Sequence, residues 1–551
     1  MKIKFKKISL LFFNSLALGT FTSCSAHDTS FYMANYESYI SNDLLEQIES
    51  EHSFSELEVN NNTFNVPITN FKYRTFATNE DLERNFVTNY DVAVPSMYLA
   101  AKLANEGKIL TLDWSNFGLY QLDENGNKTD KKIRTAEDAL TLFTDQTKKV
   151  LFAYDLSNAF KISKNEYKEK IYENAGLLNY CVPYFLQDFV LGYKSFDSWN
   201  LQNSNLDWNQ AILKLKEKVN SNDIKKIAAI EDYRTLYSIA HLIEDEAKNN
   251  AEITVNPGTE KNSGYVNPNS KLTDYTAKIP YDSFVRTYEY LAKDLSHNKY
   301  YFNSDSNNIL NDFADPKGAQ AIMSYNGDLL YAAQGGDYYS YNRLNNDSIE
   351  IFMNWLSNNY NLALINPIFN IKFIKPDRTL ILLDVIVVNR KRVQEKQHLN
   401  EAYAVLKKIG LEGSDHSLYS DNSKTQYNNS SDSQNNSVFT TKDNQFVYGP
   451  MINFDYIQYT SPLNTINNYV INSGINKNSN ITNNGYFVWR YNNIKYLFHN
   501  EAEFNNFIST LIAIYSVEIS ELNINNFIRN ITDLHKSDMY YAFMNVKSKN
   551  F

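Results

Sequence analysis

Apolar positions in the first hundred residues alternate between two spacings. FYMANY, residues 31–36, is a short strand-like run, and Leu44, Leu45 and Ile48 then recur at helical spacing. Residues 71–78 read as a second strand and 79–86 as a short helix begun by Asn79. The run Asp91-Val92-Ala93-Val94 stops at Pro95-Ser96. An amphipathic stretch follows and closes on Gly107, and 108–112 is the next strand. This β-α-β-α-β alternation predicts a largely parallel sheet covered by helices. Ligands in such sheets bind outside the carboxyl ends of the strands. Ser96 and Tyr98, placed directly after a strand, are therefore candidate ligand contacts, and Ser96 equally suits a helix N-cap.

Further along, 120–178 carries little pattern beyond a helix at 136–144. Residues 178–190 are apolar and broken by Pro183. Strands are predicted at 225–230 and 320–325, the latter ending at Asn326-Gly327, and helices at 234–247, 281–295 and from 329 to 333. A buried strand spans 379–388, and a helix at 400–409 meets Gly410 as its stop. Residues 50–70 are polar and Asn-rich. Residues 250–275 read as a loop and 413–437, rich in Ser, Asn and Asp, as a mobile insertion. The last 60 residues are helical in pattern, and there is no internal repeat.

The chain begins with a basic head (Lys2, Lys4, Lys6, Lys7), an apolar stretch over 8–21, and then Thr22-Ser23-Cys24. That is the form of an export signal. A Cys directly after small residues resembles a bacterial lipoprotein signal, in which Cys24 becomes the lipidated first residue. Loss of 1–23 removes four Lys and no acid, taking the net charge from −10 to −14. This acidity argues against a broad nucleic-acid-binding surface and suits a cationic ligand. Cys181, the second of two Cys, sits in an apolar context and reads as a buried, inert thiol. No later segment offers the ~18 apolar residues of a spanning helix.

The sequence lacks a G-x-x-x-x-G-K-[ST] phosphate loop, H-E-x-x-H, paired C-x-x-C and G-x-S-x-G, and its eight His are scattered. No catalytic constellation, and so no enzyme and no cofactor, is predicted.

Seven segments together resemble one family. FYMANYESYISNDLLEQIE (31–49) is similar to the first strand and helix of bacterial spermidine/putrescine-binding proteins, and YDVAVPSMYLAAKLANEGKI (90–109) to their strand ending in Pro-Ser-x-Tyr. NYCVPYFLQDFVLGY (179–193) resembles the crossover into the second lobe. IAAIEDYRTLYSIA (227–240) resembles a strand followed by Asp-x-Arg, and AIMSYNGDLLYAAQGG (321–336) a strand ending in Trp-Asn-Gly. ILLDVIVVNRKRVQEKQHLNEAYAVLKKI resembles the returning crossover, and QYTSPLN (458–464) the loop after it. The resemblance implies an α/β, two-lobed, type II periplasmic-binding-protein-like fold, each lobe a mostly parallel sheet flanked by helices, with a ligand cleft between. It implies lobe 1 at 24–178 and 384–464, and lobe 2 at 179–383 and 465–551.

It also implies a function. A lipid-anchored receptor on the outer face of the bacterial cell membrane would capture a polyamine and deliver it to the permease and ATPase chains of an ABC importer. It would act as a monomer and without nucleic acid. A receptor with a drifted ligand, or an adhesion lipoprotein using the same fold, are the other readings of this chain.

A polyamine site needs carboxylates for its ammoniums and aromatic faces over its methylenes, each face worth about 0.5–2 kcal/mol. Carried over by position, the carboxylates are Asp384 and Asp232. Asp384 is a lone charge in a nine-residue apolar run and needs a partner or a ligand. Asp232 also suits a helix N-cap. The aromatic wall is Tyr36, Tyr39, Tyr98, Tyr325 and Tyr459. With 41 Tyr in the chain, any one is more often packing than contact. The family's Trp positions are here Tyr36, Tyr325 and Leu382. Its Thr-Glu pair is Glu37-Ser38, a displacement of one that turns a strand side chain to the other face. Its second carboxylate after the Asp is Thr235, a loss that Glu231 could offset. These departures leave three readings open: a diamine favoured over a triamine, weaker binding, or a different ligand.

Overall fold

A computed structural model describes residues 30–50, 53–59, 62–156, 176–194, 206–252, 281–292, 299–304, 306–315, 318–333, 371–416, 446–471, 485–491, 495, 498, 500–519, 528 and 533–550. The leader with Cys24, most of 250–275 and most of 413–437 lie outside these residues.

Thirteen strands are described: β1 Phe31–Tyr36, β2 Phe54–Val59, β3 Asn62–Pro67, β4 Phe71–Phe76, β5 Val92–Ala93, β6 Tyr120–Leu122, β7 Lys128–Lys132, β8 Cys181–Lys194, β9 Ile227–Ile230, β10 Tyr300–Asn303, β11 Ala321–Tyr325, β12 Ile371–Ile374 and β13 Ile381–Val388. Nine form one mixed sheet in the order β10-β9-β11-β8-β13-β5-β1-β4, with β12 pairing β8. At its centre β8 and β13 run antiparallel and are buried along their full lengths, which explains their near-continuous apolar sequence. On one side of this pair lies the parallel set β5-β1-β4, and on the other the parallel set β11-β9-β10.

The sheet departs from the predicted alternation in one informative place. Residues 108–112 form no strand; Leu110 N–H donates to Val388 O at 2.9 Å, and Ile109 makes an isolated bridge to Asn389. The sheet position next to β5 is taken by β13, arriving from far along the chain. The polar 50–70 region is a hairpin, β2–β3, with its second strand mostly exposed. The predicted helix at 136–144 is a single turn, Ala136–Ala139, closed by a Thr135/Asp138 capping box and followed by a 3-10 turn.

Pro183 does not break β8. The pairing with β13 slips between Asp384 and Val385, so that Asp384 faces Phe185, Val385 faces Pro183, and Tyr184 is extra. A bulge is where a strand tolerates a residue without an N–H. Gly410 is not a stop either. The helix Lys396–Leu406 continues through it as the wider turn Lys407–Leu411. A Cβ on Gly410 would lie 2.9 Å from Val182 Cγ1, so glycine here permits close approach to β8. Cys181 is buried and free, its Sγ 3.2 Å from Leu177 O.

Candidate functional site

Strands of both parallel sets, which run in opposite directions, end around Asp384: β1 at Tyr36 and β5 just before Pro95-Ser96 from one, β9 just before Glu231-Asp232 and β11 at Tyr325 from the other. β13 crosses them and brings Asp384 into their midst. Val385 N–H donates to Pro95 O at 3.0 Å, which fixes the loop after β5 against the bulge.

Asp384 is 2% exposed, and no ion pair to it occurs among the described residues. Three neutral groups hold its carboxylate. Ser96 Oγ donates to Oδ1 at 2.8 Å, Tyr39 OH donates to Oδ2 at 2.8 Å, and Gln187 Nε2 donates to Oδ2. Burial pushes the carboxyl up to about 6, against the pull of these three hydrogen bonds. An internal salt bridge, the ordinary fate of a lone charge in a strand, is not what satisfies it.

Each partner is itself positioned. Ser96 occupies the N-cap position of the helix Met97–Asn105, yet its side chain makes no capping bond. Asn79 Oδ1 accepts from Ser96 N–H at 3.1 Å, Asn79 Nδ2 donates to Ser96 Oγ at 3.2 Å, and Tyr36 OH lies 3.2 Å from the same oxygen. The helix Asn79–Asn89 begins at Asn79 as predicted, and Thr78 caps it, accepting from Asp81 N–H. Gln187 Nε2 also donates to Tyr39 OH at 2.7 Å, locking that hydroxyl toward Asp384.

Tyr36, Tyr39 and Tyr459 form one ring cluster, while Tyr325 packs edge-on against Phe189. The Tyr39 ring meets Tyr36 at 5.7 Å, Tyr459 at 5.4 Å and Phe185 at 5.7 Å, all edge-on. Such pairs contribute about 0.5–1.5 kcal/mol beyond burial. Tyr459 OH donates to Asp328, a buried carboxylate that also accepts from Ser324 Oγ and that burial pushes above the ordinary carboxylate range. Tyr325 OH lies 2.9 Å from Thr235 Oγ1, which donates to Asp232 Oδ2 at 2.7 Å. Burial raises the phenols of Tyr36 and Tyr325 well above their usual range, and the negative charges of both Asp384 and Asp232 add to this at each.

Asp232 caps the helix Tyr233–Glu252, accepting from Arg234 N–H at 2.9 Å. Glu231 pairs with Lys547 at 2.6 Å, so it is already engaged away from Thr235. Glu37 is exposed in the turn after β1, next to Ser38 at φ 56°, and is not drawn into the Asp384 cluster. Tyr98 is buried, but its ring face is covered by the chain itself: Arg234 Cζ sits 4.6 Å from the ring centroid.

Gln187 and Asp328 are the residues that sequence reasoning missed. Gln187 stands as an uncharged polar residue within FLQDFVL, and Asp328 directly after the Asn326-Gly327 that follows β11. A polar residue inside an apolar strand was the available signal for the first.

The fold and this site define a mixed α/β protein with a buried, hydroxyl-lined carboxylate at converging strand ends. Over residues 1–541 the sequence matches the family model described as hypothetical lipoprotein (MG045 family), and the chain belongs to that family. No curated protein matches the sequence. Among solved structures it is similar to a Listeria monocytogenes protein ascribed to spermidine/putrescine ABC transport (12% identity, 94% of this chain and 98% of that one, TM-score 0.42). It is also similar to the spermidine/putrescine ABC transporter substrate-binding protein PotD of Streptococcus pneumoniae (12% identity, 94% and 99%, TM-score 0.41). A third similar structure is the TpPotD lipoprotein of Treponema pallidum (12% identity, 68% and 79%, TM-score 0.34). Among the described residues no helix is long and apolar enough to cross a membrane.

Proposed function

We propose that this lipoprotein is the solute receptor of an ABC importer and that its solute is an organic ammonium compound of the polyamine class. The observation that carries the reading is Asp384. A buried carboxylate supported by neutral hydroxyl and amide donors, beside aromatic rings, is arranged to take a cation. An ammonium entering the Tyr36, Tyr39, Tyr325 and Tyr459 cluster meets Asp384 at one end and Asp232 at the other. The rings cover the methylenes between.

The sheet supports a two-lobed reading. Its two parallel sets flank the β8–β13 pair, which supports reading 24–178 with 384–464 as one lobe and 179–383 with 465–551 as the other. The site then lies in the cleft between them, where closure buries the solute. Lipidation at Cys24 holds the receptor at the outer face of the membrane, where it passes solute to separate permease and ATPase chains as a monomer.

Calorimetric titration of residues 25–551 with putrescine, spermidine and spermine tests this. Saturable binding that weakens by about a hundredfold or more in Asp384→Asn is expected, since loss of one member of a buried charge pair costs about 3–5 kcal/mol. A folded wild-type protein that binds none of the three overturns the polyamine assignment.

A further inference from the structure

This inference rests on the two-lobed reading above and concerns what holds the lobes together over the site. The helix Asp533–Asn550 presents two neighbouring stripes to the chain. His535, Met539, Ala542, Phe543 and Val546 follow helical spacing and are buried. This stripe packs on lobe 2. The His535 ring lies 6.0 Å from Phe284, and the Phe543 ring lies 5.3 Å from Tyr288 and 5.9 Å from Phe302.

The second stripe is Lys536, Tyr540 and Lys547, at i, i+4 and i+11. Its members meet three segments in order along the helix. Lys536 Nζ lies 3.1 Å from Glu83 Oε2, on the helix Asn79–Asn89 of lobe 1. The Tyr540 ring meets Tyr233 edge-on at 5.8 Å, and Lys547 Nζ lies 2.6 Å from Glu231 Oε1. Tyr233 and Glu231 flank Asp232 in the chain. Between its two lysines the helix advances about 16 Å, so it reaches from lobe 1 to the loop that carries the site's second carboxylate.

The receiving side on lobe 1 is built for cations. The Glu83 side chain is 19% exposed and that of Lys536 14%, which shelters the pair from screening. Burial pushes the Glu83 carboxyl up, but Lys102 and Lys536 outweigh it and hold the group below the usual carboxylate range. One turn earlier on the same helix, Glu80 Oε1 lies 3.3 Å from Nη1 of Arg234, a second cation of lobe 2.

We infer that the helix Asp533–Asn550 is a strap across the rim of the cleft, packed on lobe 2 and latched to lobe 1 by Lys536 on Glu83. Opening the cleft to admit or release solute parts that ion pair, whereas Lys547–Glu231 lies within lobe 2 and stays. The latch regulates the site: it favours the closed arrangement before solute arrives and slows escape afterwards.

The test measures lobe separation directly. Nitroxide labels at Asn89→Cys in lobe 1 and Asn220→Cys in lobe 2, both exposed positions, report it by double electron–electron resonance on residues 25–551, and the native Cys181 is buried. The solute-free protein is expected to show mainly one short separation at low salt. A longer one is expected to gain weight in Lys536→Met, in Glu83→Gln, and in the unlatched wild type at about 1 M KCl, where the screening length is about 3 Å. Lys495→Met, which removes an ion pair internal to lobe 2, is expected to change nothing. Putrescine release in stopped flow is expected to be about threefold or more faster in the two latch variants.

Unchanged separations in Lys536→Met and Glu83→Gln proteins whose circular dichroism matches wild type overturn the inference, whether or not putrescine binds. So does an equal shift in Lys495→Met, or putrescine release at the wild-type rate in both latch variants. If Lys536→Met does not fold, Glu83→Gln decides alone. Shifted separations in a protein that binds no polyamine support the strap and overturn the polyamine reading alone.

Discussion

Ser96 and Asp384 are 288 positions apart in the chain and are joined by a 2.8 Å hydrogen bond. The contact ties the loop after β5 to β13 opposite the bulge in β8, and the backbone bond from Val385 N–H to Pro95 O runs beside it. Ser96→Ala removes one of the three donors on a buried carboxylate. Loss of a hydrogen bond to a charged group is worth about 1.5–3 kcal/mol. The variant is expected to bind putrescine about tenfold or more weakly at pH 7.5 by calorimetry, with the Asp384 carboxyl pushed further upward.

The ligand-free protein carries the mark of Asp384 in its pH dependence. The carboxyl is raised from 3.8 to about 6 by burial, so the folded state binds more protons than the unfolded chain between those values. The sign follows: its neutral form stabilises the fold below pH 4, and that contribution is lost as pH rises through about 6. The interval corresponds to about 3 kcal/mol. Urea unfolding at pH 5 and pH 8 is expected to show the wild type losing about 1.4 kcal/mol, the part of that interval above pH 5, which Asp384→Asn does not lose.

Tyr39→Phe tests the second arm of the carboxylate's support. It removes the 2.8 Å donor to Asp384 and leaves Gln187 Nε2 with Asp384 as its acceptor. A loss in putrescine affinity with an almost unchanged thermal midpoint is the expected outcome, because the ring packing against Tyr36 and Tyr459 is retained.

Gly327 tests the fit of the far wall. A Cβ there would come 1.6 Å from Tyr459 Cδ1, so the ring must move and its hydroxyl leaves Asp328. Gly327→Ala is expected to destabilise by about 1–3 kcal/mol, the range of overpacking in a filled core, in denaturant unfolding.

Much of this architecture is legible in the chain because it follows from apolar spacing. The strands ending at Tyr36, Ala93, Ile230 and Tyr325 and the lone charge at Asp384 all stand out. What could not be read depends on pairing across long separations. β13 displaces the strand expected at 108–112, and the slip opposite Pro183 lets a proline sit inside a buried strand. Gly410 looks like a helix stop until Val182 is brought against it. The Arg234–Tyr98 stack joins segments with no shared local pattern, so Tyr98 reads as an open aromatic face when it is a covered one.

The central claim is that the ionised Asp384 carboxylate is the solute's counter-ion. Putrescine keeps both charges from pH 5 to pH 8, so its affinity over that range reports the carboxylate directly. The account predicts wild-type affinity that is level above about pH 7 and falls by up to tenfold per pH unit below about 6, with Asp384→Asn weak and level throughout. Wild-type affinity independent of pH, or full affinity in Asp384→Asn, would contradict it.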